Sequence, residues 1–389
     1  MKVYVLGGGA SGMVSAIISR RCGNDVTIIE KNSSLGKKLI LTGNGRCNYF
    51  NEDMSLSNFY SDGDLERFIN NKNLDKVKSF FDSIGLYPYI KDGYYYPYSN
   101  TSYAVYNALL KEIKVLGINI IEEEVKDIQN GYVITSSNKY KYDKVIVSLG
   151  GASLAKTGSD GFGFELLKRL GHTIIPVRPA LVPLLIEGNF KDWKGIRVRG
   201  SISLEGHTDS GEIQLIENGI SGICVMNISR FAKIGSILHI NFTNIDSIYD
   251  FISSRDTCLK NRTIIELLES IINYKLLYFL FQKEHIKDIS WSSMDEKTKL
   301  KVCKILTDYE VKVMDTKGFL YAETIRGGVI LDELSDNLES KIIPNLFITG
   351  ELIDIDGKCG GYNLTNAWIT GILAGEENDS SKTIKNKIK

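Results

Sequence analysis

Six residues near the start, Gly7-Gly8-Gly9-Ala10-Ser11-Gly12, constrain this chain more than any other stretch. They follow a short apolar run, Val3 to Leu6, long enough for a buried parallel strand. They precede Met13 to Arg21, where Val14, Ile17 and Ile18 share one helical face. Val26 to Ile29 is a second apolar strand and ends at Glu30. Strand, glycine loop, helix, strand and acid, in that order, make a dinucleotide-binding βαβ unit. Gly7 permits the tight turn out of the strand, Gly9 lets the backbone approach a pyrophosphate, and Gly12 lets the helix pack on the strand. The helix start offers N–H groups and a partial positive charge to the phosphates. Glu30, eighteen residues after Gly12, can accept hydrogen bonds from an adenosine ribose. A glycine-rich turn in some other α/β domain is the bland alternative.

Gly36 to Asn48 comes next, with Lys37, Lys38, Arg46 and three glycines. That composition suits a loop that wraps phosphates, or else a solvated basic loop. Tyr94-Tyr95-Tyr96-Pro97-Tyr98 could line an aromatic pocket or simply pack half-buried. Ser102 to Leu116 reads as a helix closed by Gly117, and Ile118 to Ile121 as a strand. Asn130-Gly131 predicts a hairpin. Lys144 to Leu149 is another apolar strand, so a small antiparallel meander interrupts the parallel ones. That interruption is usual in flavoproteins of the glutathione-reductase type. Asp160 to Leu170 reads as a further helix.

After Pro179 and Pro183 the pattern changes. Short alternating segments such as Arg197 to Leu204 and Glu212 to Ile216 predict an antiparallel barrel or sheet. From Asn244 to Tyr309 the periodicity is helical, with capping-box pairs at Thr263/Glu266 and Ser293/Glu296. This reads as a small helical insert packed by its own core. Strands return at Gly328 to Leu331 and Leu346 to Thr349, followed by Gly350-Glu351, a glycine loop through Asn363, and a helix from Leu364 to Gly375. The Lys-rich tail from Glu376 reads as frayed.

The wider composition excludes several classes. Lys+Arg and Asp+Glu each number 47, so bulk charge does not hold the chain to nucleic acid or anionic lipid. The longest candidate apolar stretch, Tyr274 to Phe281, is far short of the roughly 20 residues of a membrane helix. Glycines interrupt any signal-peptide pattern, and a cytoplasmic protein is expected. The six cysteines and four histidines are scattered, with no metal constellation and no disulfide scaffold.

Together these stretches resemble a bacterial family of NAD(P)/FAD-dependent oxidoreductases that includes aminoacetone-oxidase-like proteins and 3-dehydro-bile-acid reductases. The resemblance rests on Gly7–Gly12, Gly36–Asn48, Gly150–Gly161, Gly219–Ser229, Arg326–Leu331 and Asn345–Gly375. It implies an α/β fold: a glutathione-reductase-type FAD-binding Rossmann domain with an inserted β-barrel domain that carries a small helical subdomain. The expected parts are 1–183 with 332–389, 184–243 with 309–331, and 244–308. In that reading the first glycine loop holds the FAD pyrophosphate and Glu30 the ribose. The strand at Val125 bonds adenine through its backbone, and Gly350-Glu351 meets the ribityl and phosphate region. Gly360-Gly361-Tyr362-Asn363 approaches the isoalloxazine. Helix N–H groups near the flavin pyrimidine edge would stabilise its anionic reduced form. The wider cofactor-binding set adds Ala10, Ser11, Lys31, Lys38, Gly45, Arg46, Cys47, Asn48, Gly150, Gly151, Gly158 and Asp356. The family's Thr-His before Gly-x-Ser-Gly is Ile216-Glu217 here, and Cys359 stands where Thr is common. Cys47 has no second cysteine five residues away, so disulfide chemistry is not expected and a packing or flavin-positioning role is.

The function implied is hydride exchange between flavin N5 and a small organic substrate. The resemblance suggests reduction of a conjugated C=C bond. With no second G-x-G-x-x-G, NAD(P)H would dock transiently as donor. The alternatives are a flavin-dependent amine oxidase or dehydrogenase, a flavin-free NAD dehydrogenase, and a non-catalytic FAD-binding regulatory or RNA-associated protein using Lys191, Lys194, Arg197 and Arg199. Tyr362 and Asn363 are candidates for the reaction face, and Arg326 for a substrate-anion clamp. No metal ligand set is expected.

Overall fold

The computed structural model describes residues 1–376 in two compact units. The first comprises Met1–Arg178 and the chain from Thr324; the second is Pro179–Glu323. Residues 377–389, most of the Lys-rich tail, lie outside the described residues.

In the first unit five parallel strands run in the order Leu346–Ile348, Lys144–Val147, Lys2–Leu6, Asp25–Glu30 and Asn119–Glu122. Val5 lies opposite Ile28 on one side and Ile146 on the other. All three side chains are fully buried, as continuous Val/Ile runs covered on both faces require. The helix Ala10–Arg21 packs against the last helix, Tyr362–Gly375. Small residues permit the close approach: a Cβ on Gly371 would sit 2.7 Å from the Ser11 carbonyl oxygen. Trp368, wholly buried, donates from its indole nitrogen to the Tyr49 carbonyl at 2.9 Å.

The meander is a three-stranded antiparallel sheet of Val125–Gln129, Tyr132–Thr135 and Lys139–Lys141. Its first turn has Asn130 and Gly131 both at positive φ (52° and 76°), the geometry that hairpin twist demands. A second three-stranded sheet pairs Phe50–Asn51, Tyr94–Pro97 and Pro88–Lys91. The apolar run Gly328 to Leu331 is not a strand. Only Val329 forms isolated bridges, to Ile174 and Ile353, while the strand of this region is Thr324–Arg326.

In the second unit six antiparallel strands close a barrel: Leu184–Ile186, Gly219–Ser221, His207–Ile216, Arg197–Leu204, Ile237–Asn241 and Tyr309–Thr316. Val198, Gly200, Ile202 and Leu204 point inward at every second position. Each large apolar side chain so buried contributes about 1.5–3 kcal/mol. The helices Ile248–Cys258, Ile264–Leu268, Tyr274–Lys283 and Glu296–Thr307 interrupt the connection between two neighbouring barrel strands.

Two sequence expectations change here. The helices share one apolar core with the barrel instead of having their own, and Trp193 packs on Phe279 with ring centroids 5.4 Å apart. The Thr263/Glu266 capping box forms, but Ser293 caps nothing. Asp295 starts the last of these helices by accepting from the Thr298 amide at 2.9 Å, directly before the first helical residue.

Candidate cofactor-binding site

The three motif glycines answer to different demands. Gly7 has φ +98°, and a Cβ there would lie 2.4 Å from the Ser148 carbonyl oxygen. A Cβ on Gly12 would lie 2.0 Å from the Gly7 carbonyl oxygen. Both are required by the chain's own packing. Gly9 is not: its φ of −75° and ψ of −168° suit any residue, and a Cβ would meet nothing within 4 Å. The helix it precedes has no side-chain cap and no acid in its first turn. Ala10 opens that helix, and Ser11 lies buried beneath, accepting from the Thr349 hydroxyl at 3.2 Å. The helix's orphan N–H groups and positive end therefore meet open space beside Gly9, which suits a pyrophosphate.

Glu30 ends the neighbouring strand and reaches over this loop. Its carboxylate accepts from the Gly8 amide at 2.8 Å and from the Asn32 amide at 2.9 Å. From there an open cleft runs past Lys31, Lys37, Lys38, Val125, Gly150 and Gly158. Lys31 pairs with Asp160 at 2.6 Å, and Lys37 donates to Asn32 at 2.9 Å. Asn32 and Asp160 are residues the sequence reading did not single out, although Asn32 stands only two residues past the ribose acid.

Under the cleft Glu351 gathers the segments that form it. Its carboxylate accepts from Lys38 Nζ at 2.7 Å, the Thr324 hydroxyl at 2.9 Å and the Gly151 amide at 3.2 Å. Gly350, at φ +68°, donates its amide to the Thr370 hydroxyl at 3.0 Å.

The last helix supplies a second uncapped start. Its N-cap, Gly361, has φ +91°, no side-chain cap, and no acid follows in the first turn. A Cβ on Gly361 would lie 2.9 Å from the Phe50 backbone and 3.0 Å from the Asn48 amide group. Asn51 donates to the Gly360 carbonyl at 2.9 Å. The Asn48 amide nitrogen in turn donates to the Phe50 carbonyl at 2.9 Å. The basic loop is thus divided. Lys37 and Lys38 line the cleft at the first helix, whereas Asn48 and the segment just after it pack against the start of the last helix.

Around that second end, Asp356 is buried on a short strand paired with Phe59–Tyr60. Asn363 locks the same turn, accepting from the Gly357 amide at 2.9 Å and donating to the Gly357 carbonyl at 2.8 Å. Tyr362 is buried edge-on to Phe59, and burial pushes its phenol up to about 12. Arg326 is half-buried on the strand that packs beside Asp356–Gly357. In the opening turns of the last helix, the Thr365 hydroxyl and the Asn366 side-chain oxygen are buried without a hydrogen-bond partner among the described residues. Two uncapped helix starts, an open glycine cradle and these two polar atoms fit a ligand with phosphates at one end and a polar ring at the other. FAD is such a ligand.

Cys47 lies beside this end with φ +57°, fully buried, and burial pushes its thiol up to about 12. It stays a neutral thiol, which suits packing and not nucleophilic attack. Iodoacetamide at pH 8 is expected to label the exposed Cys258 and leave Cys47 unmodified until the protein unfolds, as peptide mass mapping would report. Rapid native labelling of Cys47 would contradict its neutral state.

The basic stretch at 191–199 is less cationic than it reads. Lys194 pairs with Glu217 at 2.7 Å and Arg197 with Glu212 at 2.9 Å. No helix among the described residues is long and apolar enough to cross a membrane.

The family described as HI0933-like protein Rossmann domain matches residues 1–377. A 3-dehydro-bile acid delta(4,6)-reductase of Clostridium scindens is 34% identical over 413 aligned positions, covering 96% of this chain and 98% of that protein. A ribosomal RNA dihydrouridine synthase of Escherichia coli is 25% identical over 381 positions, covering 94% of each. Among solved structures, a 3-ketosteroid-delta4-(5alpha)-dehydrogenase of Rhodococcus jostii RHA1 aligns at 14% identity over 97% of both chains, with a TM-score of 0.48.

Proposed function

Because the chain belongs to the HI0933-like Rossmann-domain family and is an FAD-dependent oxidoreductase, we propose that it saturates a C=C bond conjugated to a carbonyl in a small organic substrate, with NAD(P)H as the transient reductant. The observation that carries this reading is the end-to-end match to a delta(4,6)-reductase. The synthase relative supports the same chemistry, since making dihydrouridine also saturates a C=C bond conjugated to a carbonyl. When bound and reduced by NAD(P)H, FAD would supply the hydride that such a bond accepts at its electron-poor carbon, with a solvent proton completing the saturation at the neighbouring carbon.

The chain's own groups bind and orient. The N–H groups beside Gly9 hold the phosphates, and Glu30 accepts from the ribose hydroxyls. Val125 offers its backbone to the adenine, and Lys38 sets the adjacent wall. The start of the last helix presents N–H donors where negative charge grows at the ring end. Cys47 and Tyr362 keep their protons at neutral pH, so neither acts as a resident base. The pairing of Lys194 and Arg197 with carboxylates favours a small substrate over RNA. We place the enzyme in the cytoplasm, where reduced nicotinamide is available.

Purified protein is expected to be yellow, to bleach anaerobically on adding NADPH or NADH, and to recover its colour with a conjugated enone but not with the saturated ketone. Failure of enones to restore the colour would sink this reading. Recovery with unmodified ribosomal RNA instead would turn it toward uridine.

A further inference from the structure

The tyrosine run has two faces, which meet different neighbours. Tyr95 turns inward, its ring 5.3 Å from Phe50 and 6.2 Å from Tyr49. Tyr94 and Tyr96 alternate to the opposite face of the strand. Tyr94 lies against the Gly360 turn, where a Cβ on Gly360 would come within 2.7 Å of its ring. Two residues on, Tyr96 carries the Arg46 guanidinium over its ring, 5.6 Å from the centroid. Tyr94 and Tyr96 are half-buried and Arg46 is exposed. One strip of the first unit therefore runs from the turn that opens the last helix, across two aromatic rings, to a cation.

Arg46 differs from the arginines that clasp partners in this unit. Arg21 pairs with Glu112 and Arg67 with Asp336, whereas the Arg46 guanidinium makes no hydrogen bond or ion pair among the described residues. The guanidinium thus sits over an aromatic face on an exposed side chain. A planar guanidinium held this way suits a carboxylate or phosphate, which it meets with paired donors. Arg46 does not line the cleft at the first helix.

We propose that Tyr94, Tyr96 and Arg46 form a substrate subsite that takes a planar ring system bearing an oxyanion. The rings would lie on the tyrosines and the oxyanion on Arg46. This deepens the function proposed above and rests on it for the identity of the ring system. The favoured ligand is a conjugated ketone with a carboxylate at its far end.

The test is binding to oxidised holoenzyme with no reductant present, so that it does not depend on turnover. The probes are a 3-oxo-Δ4 steroid carboxylic acid and its methyl ester, followed by equilibrium dialysis and by perturbation of the flavin absorbance. A second pair, uridine 5′-monophosphate and uridine, distinguishes phosphate from carboxylate. Wild type is expected to bind the acid at least about tenfold more tightly than the ester. Arg46→Gln should bring that ratio close to one, and Arg46→Lys should restore part of it. FAD content and thermal melting of each variant are measured alongside, to separate a lost subsite from a disturbed loop. A preference shown only by the nucleotide pair, and lost in Arg46→Gln, supports the oxyanion site and assigns it to a phosphate. Equal binding within both pairs by wild type, or a preference that survives Arg46→Gln, overturns the proposal. Discrimination without enone reduction would remove the proposed reaction and leave the subsite standing; reduction without discrimination would do the reverse.

Discussion

Gly9→Val is expected to fold like wild type and to lose FAD. The backbone at this position is in ordinary extended space, and the new side chain would enter a region where nothing lies within 4 Å. Its methyl groups would instead occupy the space that the pyrophosphate needs beside the helix start. Overpacking of this kind costs ~1–3 kcal/mol, or roughly five- to 150-fold in cofactor affinity. Gly12→Val is the contrasting case. Its Cβ would sit 2.0 Å from the Gly7 carbonyl oxygen, so the strand–helix junction itself must shift. Cofactor-free protein should therefore melt normally with Gly9→Val and well below wild type with Gly12→Val. FAD titration followed by fluorescence quenching gives the affinity. Tight FAD binding by Gly9→Val would mean that this cradle does not hold the phosphates.

The second large effect is at Glu351. Its carboxylate joins Lys38, Gly151 and Thr324, which come from three separated parts of the chain. Removing one partner of a buried ion pair costs about 3–5 kcal/mol. Here the Lys38 and Glu351 side chains are 24% and 21% exposed, so about 2–3 kcal/mol is expected for Glu351→Ala once solvent screening is allowed for. Glu351→Gln keeps acceptor capacity for the Gly151 amide and should lose less. A double-mutant cycle with Lys38→Met, read by chemical denaturation, is expected to give a coupling of about 1–2 kcal/mol. A coupling near zero would show that the two residues do not act as a pair.

Much of this arrangement was legible before any coordinates. The first βαβ unit was readable because its glycines, its strand lengths and Glu30 lie within about thirty residues of sequence. The Asn130-Gly131 hairpin and the barrel alternation were readable for the same reason, since each signal is local. What stayed hidden depends on distant partners. Nothing near Lys38 reveals that it meets Glu351, and nothing near Asn48 reveals that it packs on Gly361. The run Gly328 to Leu331 has strand composition, yet its ladder partners lie elsewhere and only Val329 bridges to them. The tyrosine run was ambiguous because alternation assigns two faces without saying which one meets a neighbour. Phe50 and Tyr49 decide that for Tyr95.

The two uncapped helix starts begin at Ala10 and Tyr362, at opposite ends of the described chain. Ser11 and Thr349 touch across 338 positions of sequence, and the strand Lys144–Val147 must wait for Leu346–Ile348 to gain its outer neighbour. During synthesis the N-terminal half therefore leaves the ribosome carrying one uncapped helix start while the other is still untranslated. Contacts that span such separations close slowly. Joining of the two ends is then a late event in the life of the polypeptide, possible only after the barrel segment that separates them in sequence has been made.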